Sequence, residues 1–145
     1  MRRIGTVRSP YRAAENVPKG LGTKHEAEGV LEIEAEFEAG LQDIEGFSHL
    51  YVLWVFHQAQ GYELFSVHPI DPQPHGVFST RSPQRPSPIG LTVVRLLRRE
   101  GRNLVVLGVD MVDGTPILDI KPYLSSVPPT ELKRGWMTEA EKRRG

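Results

Sequence analysis

Leu31-Glu32-Ile33-Glu34-Ala35-Glu36-Phe37 sets an apolar side chain at every second position, with a glutamate between each pair. A period of two belongs to a strand with one face on a core and the other in water, so this segment predicts a half-buried strand. Downstream, Leu50-Tyr51-Val52-Leu53-Trp54-Val55-Phe56 is apolar throughout and rich in β-branched and aromatic residues, which predicts a central strand covered on both faces. Residues 89–97 and 104–109 flank the turn-forming Glu100-Gly101-Arg102-Asn103 and read as an antiparallel hairpin. Residues 4–7, 63–67, 76–78 and 116–120 add shorter strand candidates. Short strands at this spacing predict a mainly all-β fold, a single antiparallel β-barrel whose closure removes exposed edges. Helix signals are confined to a turn at residues 40–44 and to Thr138-Glu139-Ala140-Glu141-Lys142, where an N-cap residue precedes acids of the first turn.

A chain of 145 residues suits one domain with a real core. Residues 1–127 are expected to form that domain, and the polar residues 128–145 a short C-terminal arm. The absence of cysteine excludes disulfides, thiolate metal sites and cysteine nucleophiles. No apolar run reaches signal-peptide or membrane-spanning length, so the expectation is a cytoplasmic protein with no membrane partner. Net charge is zero, which leaves no broad positive field to hold nucleic acid. Any RNA contact must be local. Arg81, Arg85, Arg95, Arg98, Arg99 and Arg102, opposed in their window only by Glu100, are either such a contact or a solvated face.

Several chemistries fail on spacing. None of the histidines His25, His49, His57, His68 and His75 pairs with another at i, i+4 beside a glutamate, so no metal site is expected. A serine hydrolase lacks its Gly-x-Ser-x-Gly elbow, and the glycine motifs of Rossmann and phosphate-loop proteins are missing. Three features remain. His49 and His57 bracket the apolar strand, and His57-Gln58 is a pair at its edge. In Gly76-Val77-Phe78-Ser79-Thr80-Arg81-Ser82-Pro83-Gln84-Arg85-Pro86-Ser87-Pro88-Ile89-Gly90, prolines stiffen the backbone around Arg81 and Arg85. Their guanidinium forks suit an anion or a nucleobase, and a structural proline turn explains the same residues. Finally, Asp113-Gly114-Thr115-Pro116 reads as a tight turn, followed by Asp119, Lys121 and Tyr123 alternating on one face of an extended segment. An acid, a base and a phenol in a row can handle protons, or form a solvated edge.

Together these blocks resemble one family, the TrmO (TsaA/YaeB-like) tRNA N6-threonylcarbamoyladenosine methyltransferases. The resemblance runs in order through Ile4-Gly5-Thr6-Val7-Arg8-Ser9-Pro10-Tyr11, Ile44-Glu45-Gly46-Phe47-Ser48-His49-Leu50, Trp54-Val55-Phe56-His57-Gln58, the proline loop, and Val112-Asp113-Gly114-Thr115-Pro116 through Asp119-Ile120-Lys121-Pro122-Tyr123. It implies a homodimeric antiparallel β-barrel that binds S-adenosyl-L-methionine without a Rossmann domain and methylates tRNA. Carried over by position, the cofactor contacts are His57, Gln58, Arg81, Leu91, Asp113, Gly114, Thr115 and Pro116, with a further loop at Lys19-Gly20-Leu21. The proton leaving the acceptor nitrogen would go to Asp119, Tyr123 or Lys121. Larger members continue with a further C-terminal region, so another RNA or a small metabolite stays open as acceptor. A non-catalytic RNA-binding module is the alternative reading.

Overall fold

The computed structural model describes residues 1–18 and 25–144. Among the described residues eight strands carry the fold: β1 (Gly5–Arg8), β2 (Glu28–Ile33), β3 (His49–Val55), β4 (Phe65–His68), β5 (Asp71–Gly76), β6 (Ile89–Glu100), β7 (Asn103–Leu107) and β8 (Pro116–Pro122), followed by one α-helix, α1 (Trp136–Arg144). Six of them pair in the order β1-β2-β7-β6-β3-β8, and β8 returns to β1 through Gly5↔Ile117 and Thr6↔Pro116. The sheet thus closes on itself, and every pairing in it is antiparallel. β4 and β5 form a separate two-stranded hairpin.

Inward side chains at every second position build the core. Leu31 and Ile33 of β2, Leu50, Val52 and Trp54 of β3, Val94 of β6, Leu104 and Val106 of β7 and Ile117 of β8 meet Val7, Val109 and Met111 there. At the β3–β6 pairing, Trp54 faces Gly90. A Cβ on Gly90 would stand 2.3 Å from the indole, so only glycine lets the ring lie flat against the neighbouring backbone.

Three expectations need correction. The strand read over residues 31–37 starts earlier, at Glu28, and ends at Ile33; Ala35–Leu41 is a 3-10 helix instead. The β3 segment is not covered on both faces: Leu50, Val52 and Trp54 are buried while Tyr51, Leu53 and Val55 are only half-buried. Its second face is therefore available to a ligand. Residues 76–78 are not a strand, because β5 ends at Gly76 and Val77–Ser79 makes a 3-10 turn.

Candidate functional site

The half-covered face of β3 and the outward face of β6 meet in an open cleft of about 630 Å³. Its floor is Leu91, Val93 and Arg95, the outward residues of β6, with Thr92 between them. On one side stand His49, Tyr51 and Tyr123. Tyr51 and Tyr123 pack edge to face with ring centroids 5.1 Å apart, a favourable aromatic geometry. On the other side are His25, Leu107, Gly108 and Asp110. Arg81 enters from the proline loop, where its guanidinium donates to the Leu91 carbonyl.

Beneath the floor runs a short polar relay. Trp54 Nε1 donates to Thr92 Oγ1 at 2.9 Å, and Thr92 Oγ1 donates to Asp110 Oδ1 at 2.6 Å. A buried indole N–H and a buried hydroxyl are thereby both satisfied, and a carboxylate is held at the cleft wall. Of the buried side-chain polar atoms among the described residues, His25 Nδ1 alone lacks a partner, and it too belongs to this cleft. Neither Asp110 nor His25 was singled out as a site residue from sequence. The only signal for Asp110 is a carboxylate placed just after the apolar run of β7; its meeting with Thr92 depends on strand pairing.

The arginine cluster divides by partner. Arg98 bonds Glu100 at 2.7 Å and lies 4.0 Å from Glu28, and the Glu100 contact raises its pKa above the ordinary value. Arg99 pairs with Glu45 at 3.6 Å, and Arg102 donates to the Ile33 carbonyl at 3.4 Å. Arg85 folds back on its own loop, donating to the carbonyls of Thr80 at 3.0 Å and Ser82 at 3.2 Å. It acts as a brace of the proline loop. Arg81 donates to the Leu91 carbonyl, Arg95 makes neither a hydrogen bond nor an ion pair among the described residues, and both line the cleft.

Of the residues expected to bind or react, the structure brings Arg81, Leu91 and Tyr123 into this cleft. The others lie elsewhere. His57 and Gln58 are exposed in the turn after β3, where the His57 amide donates to the Val55 carbonyl at 2.8 Å. Asp113 lines a smaller hollow with Ser9, Pro10 and Arg12. Its turn is clamped to β1: the Ser9 amide donates to Asp113 Oδ1 at 3.0 Å, the Gly114 amide to the Val7 carbonyl at 2.8 Å, and the Val7 amide to the Thr115 carbonyl at 2.8 Å. Gly114 has φ +88°, where glycine is favoured, Thr115 is buried and donates to the Val112 carbonyl at 2.6 Å, and Pro116 opens β8. Asp119 and Lys121 pair with each other at 3.2 Å on the outside of β8 and do not line the cleft. Lys19-Gly20-Leu21 lies outside the described residues.

The proline loop is held from behind by α1. Trp136 Nε1 donates to the Ser79 carbonyl at 2.8 Å, two residues before Arg81. The Trp136 ring stacks on His75 at 4.0 Å and 10°, His75 Nε2 lies 3.1 Å from Asp71 Oδ2, and Arg143 reaches the same oxygen at 3.2 Å. Asp71 is buried. Its pKa lies below the ordinary value, chiefly because the Gln73 amide bonds its carboxylate, with His75 and Arg143 adding to the effect.

Residues 6–128 match the family described as tRNA-methyltransferase O N-terminal domain. The chain is 48% identical over 142 residues to a probable S-adenosyl-L-methionine-binding protein of Archaeoglobus fulgidus, aligned over 97% of this chain and 38% of that protein. It is 36% identical over 163 residues to the tRNA (adenine(37)-N6)-methyltransferase of Escherichia coli K12, over 96% of this chain and 69% of that enzyme. A crystal structure of TrmO from Pseudomonas aeruginosa superposes with a TM-score of 0.74 at 34% identity, covering 92% of this chain and 60% of that one. The chain thus spans 38% of the first of these relatives and 60% of the third, less than two thirds of each. With a match running through every strand of the closed sheet and through the cleft on its outer face, the chain belongs to the tRNA-methyltransferase O N-terminal domain family.

Proposed function

We propose that this chain is a cytoplasmic, S-adenosyl-L-methionine-dependent methyltransferase acting on N6 of threonylcarbamoyladenosine beside the anticodon of tRNA. Its closed sheet serves as a β-barrel within residues 1–127, with residues 128–145 as an arm against it. The observation that carries this reading is the cleft, where Arg81 and Leu91, both expected cofactor contacts, meet a carboxylate fixed by Thr92. Relatives described as S-adenosyl-L-methionine-binding proteins and as tRNA (adenine(37)-N6)-methyltransferases support the same chemistry.

The cleft fits the cofactor. About 630 Å³ lies within the range of small-molecule sites, roughly 300–1,000 Å³. Arg81 would take the carboxylate of its amino-acid end and Asp110 the ammonium group, while Leu91 and Val93 offer an apolar strip between. When bound, S-adenosyl-L-methionine supplies a methyl group on a positively charged sulfur. The chain's own task is then alignment and proton removal, since holding donor and acceptor in register accounts for most of the acceleration such a transfer needs. Of the three expected proton acceptors, Tyr123 alone lines the cleft, which supports it over the other two as the group nearest the acceptor nitrogen. Asp119 and Lys121 would act only through water.

A homodimer completes the reading. Tyr62, Leu64, Phe65, Val67 and Phe78 are all more than half exposed, a concentration of apolar surface that favours a protein contact. The exposed His57 and Gln58 lie just upstream of it in the chain, consistent with cofactor contacts near a subunit boundary. Incubation of the purified protein with labelled methyl donor and tRNA bearing or lacking the threonylcarbamoyl group tests the assignment. Label confined to the modified tRNA is expected; label on neither, with no heat of cofactor binding, overturns it.

A further inference from the structure

The cleft carries more charge than a cofactor requires. Along its floor, Arg81 is anchored at Leu91, Asp110 at the adjacent Thr92, and Arg95 stands three residues farther along β6. A zwitterionic amino-acid group is matched by one cation and one anion, which Arg81 and Asp110 provide within the same cleft. Arg95 is surplus. Three residues of strand place it roughly 10 Å beyond Thr92, past the span of that zwitterion. Within the Arg81 to Arg102 cluster, Arg95 is also the guanidinium that makes neither a hydrogen bond nor an ion pair among the described residues, although it sits opposite His49 in the strand register. Beside it is the pair Tyr51 and Tyr123, with His49 centred 6.4 Å from Tyr123.

We propose that Arg95, with Tyr51 and Tyr123, forms the acceptor subsite of the cleft and binds RNA, the guanidinium on a backbone phosphate and the tyrosines against a nucleobase. The inference rests on the methyltransferase reading for the assignment of Arg81 and Asp110 to the cofactor. A free cation beside the half-buried Tyr51 and the exposed Tyr123 is the combination that holds single-stranded nucleic acid, one part by charge and the other by stacking. In a chain of zero net charge the contact must be local: Arg98 and Arg99 face carboxylates and Arg81, Arg85 and Arg102 bond carbonyls, which leaves Arg95 as the cluster's unengaged guanidinium.

The competing anion is the cofactor's carboxylate, and one pair of variants separates the two. Binding of unfractionated tRNA is measured over a salt series, and binding of S-adenosyl-L-methionine by calorimetry, for wild type, Arg95→Ala, Arg95→Lys and Arg81→Ala. A phosphate contact predicts that Arg95→Ala weakens tRNA binding several-fold and lowers the slope of log K against log salt by about one. It also predicts a raised KM for tRNA, cofactor affinity unchanged within about twofold, and recovery of the salt slope in Arg95→Lys. Arg81→Ala should show the reverse, losing cofactor and keeping the slope. If Arg95→Ala loses cofactor as Arg81→Ala does, or leaves the tRNA slope unchanged, the subsite is overturned. Wild type that binds cofactor but no tRNA overturns the subsite while leaving methyl transfer to a small acceptor standing. Wild type that binds tRNA with an Arg95-dependent slope but no cofactor retains the RNA contact and overturns methyl transfer.

Discussion

At the scale of single residues, the site depends on how Trp54 is seated. The indole rests on Gly90 and donates to Thr92, which in turn fixes Asp110. Gly90→Ala forces a methyl group to 2.3 Å from the ring, and overpacking of this kind costs about 1–3 kcal/mol; urea denaturation should show it as a lowered midpoint with an unchanged slope. Thr92→Val keeps the shape but strands the indole N–H, a buried donor whose loss of partner costs about 1–3 kcal/mol. Because the same hydroxyl holds Asp110, Thr92→Val should weaken cofactor binding as well, whereas Gly90→Ala should lower stability more than affinity. Calorimetry on both variants distinguishes these outcomes. Gly90 belonged to a segment legible in the sequence. The Thr92–Asp110 contact was not, since residues 18 apart are joined only by the pairing of β6 with β7.

At the scale of elements, the alternation Leu31-Glu32-Ile33-Glu34-Ala35-Glu36-Phe37 held for half its length. Beyond Ile33 the chain turns into a 3-10 helix that reaches the core at Phe37 and Leu41, and alanine and glutamate favour strands weakly. Strand alternation and the helical turn both bring Phe37 inward, so the segment read alone does not choose between them. The C-terminal helix was legible only as a polar stretch, and Thr138, expected to cap it, lies inside it because the helix begins at Trp136; its anchoring is tertiary, through Trp136, His75, Asp71 and Arg143. That anchoring is pH-dependent in a defined direction. Asp71 has a folded pKa below its unfolded one, so its contribution is fully present above the ordinary carboxylate range and is lost as pH falls through the lowered value. Release of the Trp136 Nε1–H from the Ser79 carbonyl, read as rapid exchange of that proton with solvent, should set in only as pH falls below the ordinary carboxylate range. Asp71→Asn should loosen the helix at neutral pH and abolish that transition; an acid transition that survives in Asp71→Asn assigns it to another group.

At the scale of the whole molecule, closure of the sheet holds the outer face of β3 and β6 as a fixed surface under the cleft. β6 pairs with both β3 and β7, and β8 with both β3 and β1, so the strands under the cleft have no free edge and the floor is fixed before anything binds. A preformed floor predicts that cofactor binding stabilises the native state by mass action with little rearrangement. At a cofactor concentration about 100 times Kd the gain is about 2.7 kcal/mol. For a chain of this size each kcal/mol raises Tm by roughly 2–4 °C, so thermal unfolding should move up by roughly 5–10 °C. Arg81→Ala at the same concentration should lose most of that shift, because the cation assigned to the cofactor's carboxylate is gone, while Arg95→Ala should retain it, because that guanidinium serves the acceptor. Equal shifts in wild type and Arg81→Ala would place the cofactor outside this cleft and return His57, Gln58 and the Asp113 turn to consideration as its principal contacts.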